Sequence, residues 1–202
     1  MAKRPKVYLA GPDVFLPDAV SVGRRKKELC ARFGFEGLYP FDNEISPTAA
    51  SSERVDLLIY RANAEMIHKA DAGIFNLTPF RGPSADVGTV FELGMFVALR
   101  KPVFGYTNCA ESYLDRIKKS RGVERDEVGM WRDWTGMSIE DFANADNLMV
   151  EAPFVEQGHP IVRVASEGQK SIGDLDGFEK CLRWAADSLL KDRAGQKRRL
   201  VV

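Results

Sequence analysis

Short apolar segments alternate along the chain with longer segments in which apolar residues recur at helical spacing. The strand-length segments are 6–10, 37–40, 73–77, 102–106 and 161–164. The segments with helical spacing are 21–33, 52–69, 88–99 and 174–190. This alternation predicts an α/β fold with a mostly parallel sheet of about five strands and helices on both faces. Because strand–helix–strand crossovers are right-handed, a flavodoxin-like doubly wound sandwich is the simplest topology.

The chain has room for one domain of this kind. Its 202 residues are enough to bury a core and leave little space for a second one, so we expect a single domain over 1–202. Two segments lack a strong pattern: a loop rich in Asp, Asn, Ser and Pro at 42–52, and a variable excursion at 107–145. The excursion carries Trp131 and Trp134 among several Arg, Asp and Gly residues.

The charge balance disfavours several classes of partner. Lys and Arg together number 29, as do Asp and Glu, so the formal net charge is zero. We therefore expect no nucleic-acid partner and no anionic membrane partner. The basic run 197–199 is interpreted as a solvated tail. No apolar stretch approaches the roughly 20 residues of a membrane helix, and the apolar run 7–10 is too short for a signal peptide.

The cysteines and histidines predict neither a disulfide framework nor a metal site. Cys30, Cys109 and Cys181 are odd in number and lack Cys-x-x-Cys spacing, which fits reduced thiols in a cytoplasmic protein. His68 and His159 also lack the spacing of metal ligands. We therefore expect no structural metal and no cofactor.

Candidate chemistry concentrates in the segment 80–94, a glycine-rich turn followed by an apolar helix. The turn carries Asp86 and the helix carries Glu92, and the preceding segment 73–77 completes a strand–loop–helix unit. Open α/β sheets bind their ligands at the carboxyl ends of the strands. The loops after the first and second strands should meet this segment there.

The two carboxylates of this segment have different expected roles. Asp is a preferred N-cap residue, so Asp86 is either an ordinary cap of the helix expected to start at Gly88 or a carboxylate of the site. Gly88 lets a substrate approach the backbone. Glu92 lies further along, where the positive end of the helix should favour its ionised form. Its apolar flanks favour a functional carboxylate over an exposed or salt-bridged helix residue.

Several segments in chain order carry a resemblance to a known family. The core is Asp-x-Gly-Thr-x-x-Glu-Leu-Gly at 86–94, and the other matching segments are 7–12, 39–43, 70–77, 81–82, 101–106 and 146–149. With them the chain resembles the nucleoside 2-deoxyribosyltransferases, most weakly over 107–145 and in the C-terminal segment. The resemblance implies a deoxynucleoside and a free nucleobase as substrates, and a role in purine salvage.

The resemblance implies that Glu92 is the nucleophile. It would attack the anomeric carbon, displace the base and form a covalent deoxyribosyl ester, which a second base then attacks with net retention. A carboxylate suits this chemistry because it stabilises oxocarbenium-like charge and then traps it. Tyr8 matches a tyrosine that hydrogen-bonds and orients this carboxylate. From the residues alone, a core aromatic on a strand is equally open for Tyr8.

The resemblance also assigns residues to the 5′ end of the sugar. Asp86 matches a carboxylate near the 5′-hydroxyl, at a position where related 5′-nucleotide N-glycosidases carry a small hydroxyl residue. A carboxylate repels a phosphate, so Asp86 favours free nucleosides. Asn147 matches an asparagine that reaches the 5′-hydroxyl of a neighbouring subunit, which implies an obligate homo-oligomer with shared active sites. The alternative for Asn147 is a turn residue.

The base side is less determined. Where some family members place an Asp that exchanges a proton with the base, this chain has Asn63, and an amide cannot act as a general acid. Asp42 or water would then protonate the leaving base. Arg81 either contacts a purine oxygen or anchors its loop, and Phe15 either stacks on the base or packs in the core. Gly11, in the loop after the first strand, completes the substrate-binding set.

Two other functions stay open at this point. An N-glycoside hydrolase of nucleosides or 5′-monophosphates would use water in place of the acceptor base. The cytokinin-activating phosphoribohydrolases share the Gly-Thr-x-x-Glu element, but after a Pro-Gly-Gly turn where this chain has Ser84-Ala85-Asp86. A catalytically silent nucleoside-binding module is the third possibility, and the intact Glu92 and Tyr8 disfavour it.

Overall fold

The computed structural model describes residues 3–42 and 54–199, with side chains through residue 190. The strands are β1 (Lys6–Ala10), β2 (Glu36–Leu38), β3 (Ala72–Asn76), β4 (Val103–Thr107), β5 (Val123–Arg125), β6 (Trp131–Asp133) and β7 (Val162–Arg163). The α-helices are α1 (Ala19–Arg32), α2 (Val55–Lys69), α3 (Val87–Ala98), α4 (Tyr113–Ser120), α5 (Leu148–Glu156) and α6 (Asp176–Arg199). Short 3-10 helices, Pro12–Phe15 and Pro40–Asp42, follow β1 and β2.

Five strands form one parallel sheet in the order β2-β1-β3-β4-β7. This order and the intervening helices confirm the predicted flavodoxin-like doubly wound fold. The order reverses between β1 and β3, where Tyr8 pairs with Gly73. A doubly wound sheet opens its ligand cleft above the carboxyl ends of the strands at such a reversal.

Alternate residues of the strands feed two separate cores, one on each face of the sheet. Leu9 of β1 belongs to the core that the sheet forms with α1 and α6. Its neighbour Tyr8 belongs to the opposite core, which includes Met66 of α2, Phe96 of α3 and Phe154 of α5. The face that carries Tyr8 is therefore also the face that carries α3.

Two features of the second half differ from the expected pattern. The excursion 107–145 contains α4 and an antiparallel hairpin of β5 and β6, where no regular element was predicted. Helix α5 was also not predicted, and Pro153 lies inside it. A proline in a helix interior removes a hydrogen bond, so sequence pattern argues against a helix there.

Element boundaries shift by a few residues from the predicted ones. Helix α1 begins two residues before the predicted start at 21, and α2 begins at Val55 instead of 52. Strand β2 ends at Leu38, and Pro40 begins the 3-10 helix instead of extending the strand. The predicted loop 42–52 lies outside the described residues except for Asp42. The basic run 197–199, expected as a tail, continues α6.

All three cysteines, Cys30, Cys109 and Cys181, are buried free thiols. No helix in the described parts of the chain is both long enough and apolar enough to cross a membrane. The same parts contain no group of three or more His, Cys, Asp or Glu residues arranged to hold a metal ion.

Candidate active site

A hydrogen bond between strand β1 and helix α3 lies at the centre of the site. The Tyr8 hydroxyl donates to Oε1 of Glu92 over 2.6 Å. Tyr8 is fully buried, and its ring packs 5.9 Å from that of Phe96. The two alternatives for Tyr8 are therefore both realised, because its ring belongs to the core while its hydroxyl meets the Glu92 carboxylate.

The Glu92 carboxylate is harder to ionise than the sequence suggests. Burial raises its pKa to about 7, the Tyr8 hydrogen bond lowers it, and the charge of Asp86 raises it. The expectation that the positive helix end favours the ionised form is wrong in its net effect. Loss of water around the carboxylate, which the sequence argument left out, is the largest cause of the raised pKa.

Asp86 is the N-cap of α3 and also lines the cavity beside Glu92. Its Oδ2 accepts hydrogen bonds from the Thr89 backbone N, at 2.9 Å, and from Thr89 Oγ1, at 3.0 Å. Helix α3 accordingly begins at Val87, one residue before the predicted start. The cap and the site carboxylate were posed as alternatives for Asp86, and the geometry allows both.

A cavity of about 430 Å³ opens above Glu92. Its lining comes from the segments after β1 and β2, from α2 and from the N-terminal part of α3. The lining residues are Gly11, Val14, Phe15, Pro40, Phe41, Ile59, Asn63, Asp86, Gly88, Thr89 and Glu92. Gly88 and Glu92 are four residues apart and so share one face of α3. The volume is in the range of small-molecule sites.

Gly11 is required by the close packing of the loop after β1. A Cβ at this position would lie 2.4 Å from Oδ1 of Asp13 and 2.6 Å from Cβ of Asn76. Real side chains do not approach so closely, so any larger residue would displace this wall of the cavity. The sequence predicted Gly11 as a substrate-binding position, and the structure places it in the lining.

Phe15 and Arg81 form a stacked group at the rim of the cavity. Phe15 is 54% exposed, so it does not pack in the core. Its ring stacks on that of Phe80 at 5.1 Å, and the Arg81 guanidinium lies over both rings. Arg81 also adopts a φ of 56°, in the left-handed region. Of the two alternatives for Arg81, these contacts support anchoring of the loop.

Like Arg81, the predicted substrate-binding residues Asp42 and Asn147 do not line the cavity. Asp42 accepts hydrogen bonds from Lys27 Nζ and, at 3.0 Å, from the Tyr39 backbone N. Asn147 caps α5 by accepting from the Met149 N at 3.0 Å, and its amide donates to a Glu140 carboxylate oxygen. Asp42 is thus engaged by a cation instead of facing the cavity.

Sequence reasoning missed a buried network behind this site. Lys26 Nζ donates to Oδ2 of Asp13 over 2.7 Å, with both side chains at most 1% exposed. Asn76 donates to the other Asp13 oxygen over 3.1 Å. The pair holds the turn that carries Phe15. Lys26 lies on the buried face of α1, four residues from both Val22 and Cys30. This helical spacing could have predicted that Lys26 is buried.

Sheet order, the carboxylate–tyrosine pair and the adjoining cavity define a flavodoxin-like α/β domain with a tyrosine-bound carboxylate in the wall of its cleft. Comparison with known families agrees, because the family model for nucleoside 2-deoxyribosyltransferase matches residues 7–149. The chain belongs to the nucleoside 2-deoxyribosyltransferase family.

Similar proteins extend this comparison. The 2-desoxiribosyltransferase from Leishmania mexicana is 25% identical, with a TM-score of 0.61 over 92% of this chain and 99% of that one. A conserved protein from Enterococcus faecalis is 19% identical, with a TM-score of 0.53 over 91% and 99%, and shows the fold alone. An uncharacterised protein of Schizosaccharomyces pombe is 38% identical over 125 residues. That match covers 59% of this chain and 57% of the relative, so the chain spans little more than half of the relative's length.

Proposed function

We propose that the protein transfers 2-deoxyribose between nucleobases of 2′-deoxynucleosides, with Glu92 as the nucleophile. The observation that carries the proposal is the Tyr8–Glu92 hydrogen bond of 2.6 Å at the wall of a cavity of about 430 Å³, a volume typical of small-molecule sites. Family membership and the similarity to the Leishmania mexicana enzyme support this reaction class.

In the first step, the ionised Glu92 attacks the anomeric carbon of the bound deoxynucleoside. Tyr8 donates to Oε1, which leaves Oε2 for the attack. The new C–O bond forms as the glycosidic C–N bond breaks, and the electron pair of that bond goes to the base nitrogen. The product is a covalent deoxyribosyl ester of Glu92 and a departing base.

In the second step, a nitrogen of the incoming base attacks the same carbon. The ester C–O bond breaks, its electron pair returns to Glu92, and the N–H proton of the incoming base goes to solvent. The Tyr8 hydroxyl stabilises the carboxylate as it leaves. Two displacements at one carbon give net retention of configuration.

The apolar cavity wall suits the base. Phe15, Phe41 and Ile59 provide flat or apolar surface, and Asn63 adds an amide that can hydrogen-bond a base edge. Because Asp42 is engaged by Lys27, we assign protonation of the leaving base to solvent water. The opposite wall, with Asp86 and Gly88, receives the sugar.

Asp86 selects free nucleosides, because its carboxylate would repel a 5′-phosphate. Asn147 lies outside the cavity of its own chain, which supports its assignment to the sugar of a neighbouring subunit in a homo-oligomer. The three buried free thiols support a reducing compartment such as the cytoplasm.

Incubation with deoxyinosine and adenine tests the proposal. Formation of deoxyadenosine and hypoxanthine is the expected result. Release of free deoxyribose at the same rate with and without adenine would instead identify a hydrolase, and binding without turnover would identify a nucleoside-binding module. Without an acceptor base, mass spectrometry should detect one added deoxyribosyl group on the protein.

A further inference from the structure

Arg116 of α4 connects three segments of chain through one buried side chain. Its Nε donates to the Pro83 carbonyl over 2.6 Å, Nη1 to the Glu111 carbonyl over 2.7 Å, and Nη2 to the Ala145 carbonyl over 2.6 Å. Nη2 also lies 3.5 Å from Oδ2 of Asp146. The planar guanidinium can make all these directed contacts at once, which an ammonium group cannot.

Asp146 holds two backbone amides with its two oxygens. Oδ2 accepts from the Ala85 N and Oδ1 accepts from the Asn147 N, each over 2.8 Å. The Asp146 side chain is only 1% exposed, so water does not compete for these bonds. Ala85 directly precedes Asp86 in the loop before α3. One carboxylate therefore fixes the backbone beside Asp86, assigned to the 5′ end of the sugar in its own cavity, and beside Asn147, assigned to that of a neighbouring subunit.

We propose that Asp146 and Arg116 are positioning residues for recognition of the sugar 5′-hydroxyl. This inference rests on the proposed function. Asp86 must satisfy the Thr89 amide and face the cavity at the same time, so its carboxylate has little freedom to compensate for a shift of residue 85. Asp146 sets that backbone position, and Arg116 holds it from the Pro83 side.

The isosteric variant Asp146→Asn removes one of the two anchors. A carboxylate accepts at both oxygens, whereas an amide has one accepting oxygen and one NH₂ group. The backbone N–H of either Ala85 or Asn147 would then point at the NH₂ group of the new amide and lose its acceptor. The matched control is Asp126→Asn, in a separate arginine–carboxylate pair of the β5–β6 hairpin. Asp126 Oδ1 accepts from the Val128 N over 3.1 Å and from the Met130 N over 2.8 Å, and Arg132 Nε donates to Oδ2 over 2.8 Å.

The experiment compares kcat/KM for deoxyinosine with that for 2′,5′-dideoxyinosine, which lacks the 5′-hydroxyl. Wild type should prefer deoxyinosine. In Asp146→Asn this preference should fall about tenfold, because the substrate hydroxyl loses an aligned partner. The loss should appear only with deoxyinosine, and Asp126→Asn should keep the wild-type ratio. If Asp146→Asn does not fold, Arg116→Lys carries the same comparison, since it keeps the charge but loses the carbonyl contacts.

Equal losses with both substrates would show that the Arg116–Asp146 pair is merely structural and would overturn the proposal. A wild type that exchanges both substrates equally well would also overturn it, while leaving the proposed exchange reaction intact. A wild type that exchanges neither substrate would refute the proposed function and, with it, this role.

Discussion

The Tyr8 hydroxyl donates to Glu92 from a strand 84 residues away in sequence, and this contact joins the sheet to the helix that carries the candidate nucleophile. The donor is buried in the core by its ring and reaches the cavity only by its hydroxyl. A donor held by the core keeps the carboxylate in one orientation.

Replacement of the proposed nucleophile, Glu92, should abolish exchange without unfolding the protein. Glu92→Gln keeps the shape and can still accept from Tyr8, but an amide oxygen is a poor nucleophile. We expect exchange of deoxyinosine with adenine to fall by about 10³-fold or more, with the circular dichroism spectrum unchanged. The control is Glu65→Gln, an exposed glutamate of α2 that pairs with Lys69. Near-normal exchange by Glu92→Gln would refute the assigned nucleophile.

Exchange should depend on pH near neutrality. Only ionised Glu92 attacks, and burial raises its pKa to about 7, so kcat/KM should rise with pH and level off above that value. Because the Tyr8 hydrogen bond lowers this pKa, Tyr8→Phe should move the rising limb to higher pH and reduce the rate. The measurement is a pH profile of kcat/KM with deoxyinosine.

Tyr106→Phe is the matched control for Tyr8→Phe. Tyr106 is also a buried strand tyrosine, but its hydroxyl has no hydrogen-bond partner among the described residues. It lies in the opposite core, so its profile should match wild type. If the rising limb of the Tyr8→Phe profile lay at the same pH as that of wild type, the Tyr8 hydroxyl would not control the ionisation of Glu92.

Loss of the Asp86 charge should widen tolerance for phosphate. Asp86→Ser retains a residue that can cap α3 while removing the carboxylate that repels a 5′-phosphate. We expect the ratio of kcat/KM for deoxyinosine 5′-monophosphate to that for deoxyinosine to rise about tenfold or more. Asp86→Asn keeps the size of the side chain and the capping oxygen, and it should raise the same ratio. An unchanged ratio in both variants would contradict the repulsion argument.

Asp86→Asn should also shift the pH profile in the direction opposite to Tyr8→Phe. The Asp86 charge raises the Glu92 pKa, so its removal should move the rising limb to lower pH. The rising limb of the wild-type profile should therefore lie between those of the two variants. A shift of both limbs in the same direction would show that general disruption of the site is the cause.

Glu92 should destabilise the fold at high pH. Its pKa is raised from 4.5 to about 7 in the folded protein, so the folded state holds the proton more tightly. The free energy of unfolding should therefore fall as pH rises between these values and stay level above them. At about pH 8, Glu92→Gln should be more stable than wild type by about 1–3 kcal/mol in urea unfolding, with no difference near pH 4. A less stable variant at the higher pH would show that burial of this charge carries no cost.

The sequence by itself determined the five strands of the parallel sheet, four of the helices and the location of the candidate site. Apolar periodicity predicted these elements but not α4, α5 or the β5–β6 hairpin, and the strand–turn–helix unit around Asp86 and Glu92 marked the cleft. These features depend on local preferences: alternation in strands, apolar spacing in helices and a capping Asp. The resemblance added Tyr8 as the partner of Glu92, and the structure shows that contact.

Tertiary structure alone decided which partner each charged side chain has and how deeply it is buried. Lys27 pairs with Asp42 outside the cavity wall, Lys26 is buried against Asp13, and burial of Glu92 reverses the expected effect of its helix end. The physical reason is that desolvation and ion pairing depend on which distant segments pack together. Periodicity along the chain predicts which face of a helix or strand carries a residue. The packing of distant segments determines which charged, polar or apolar groups contact that face.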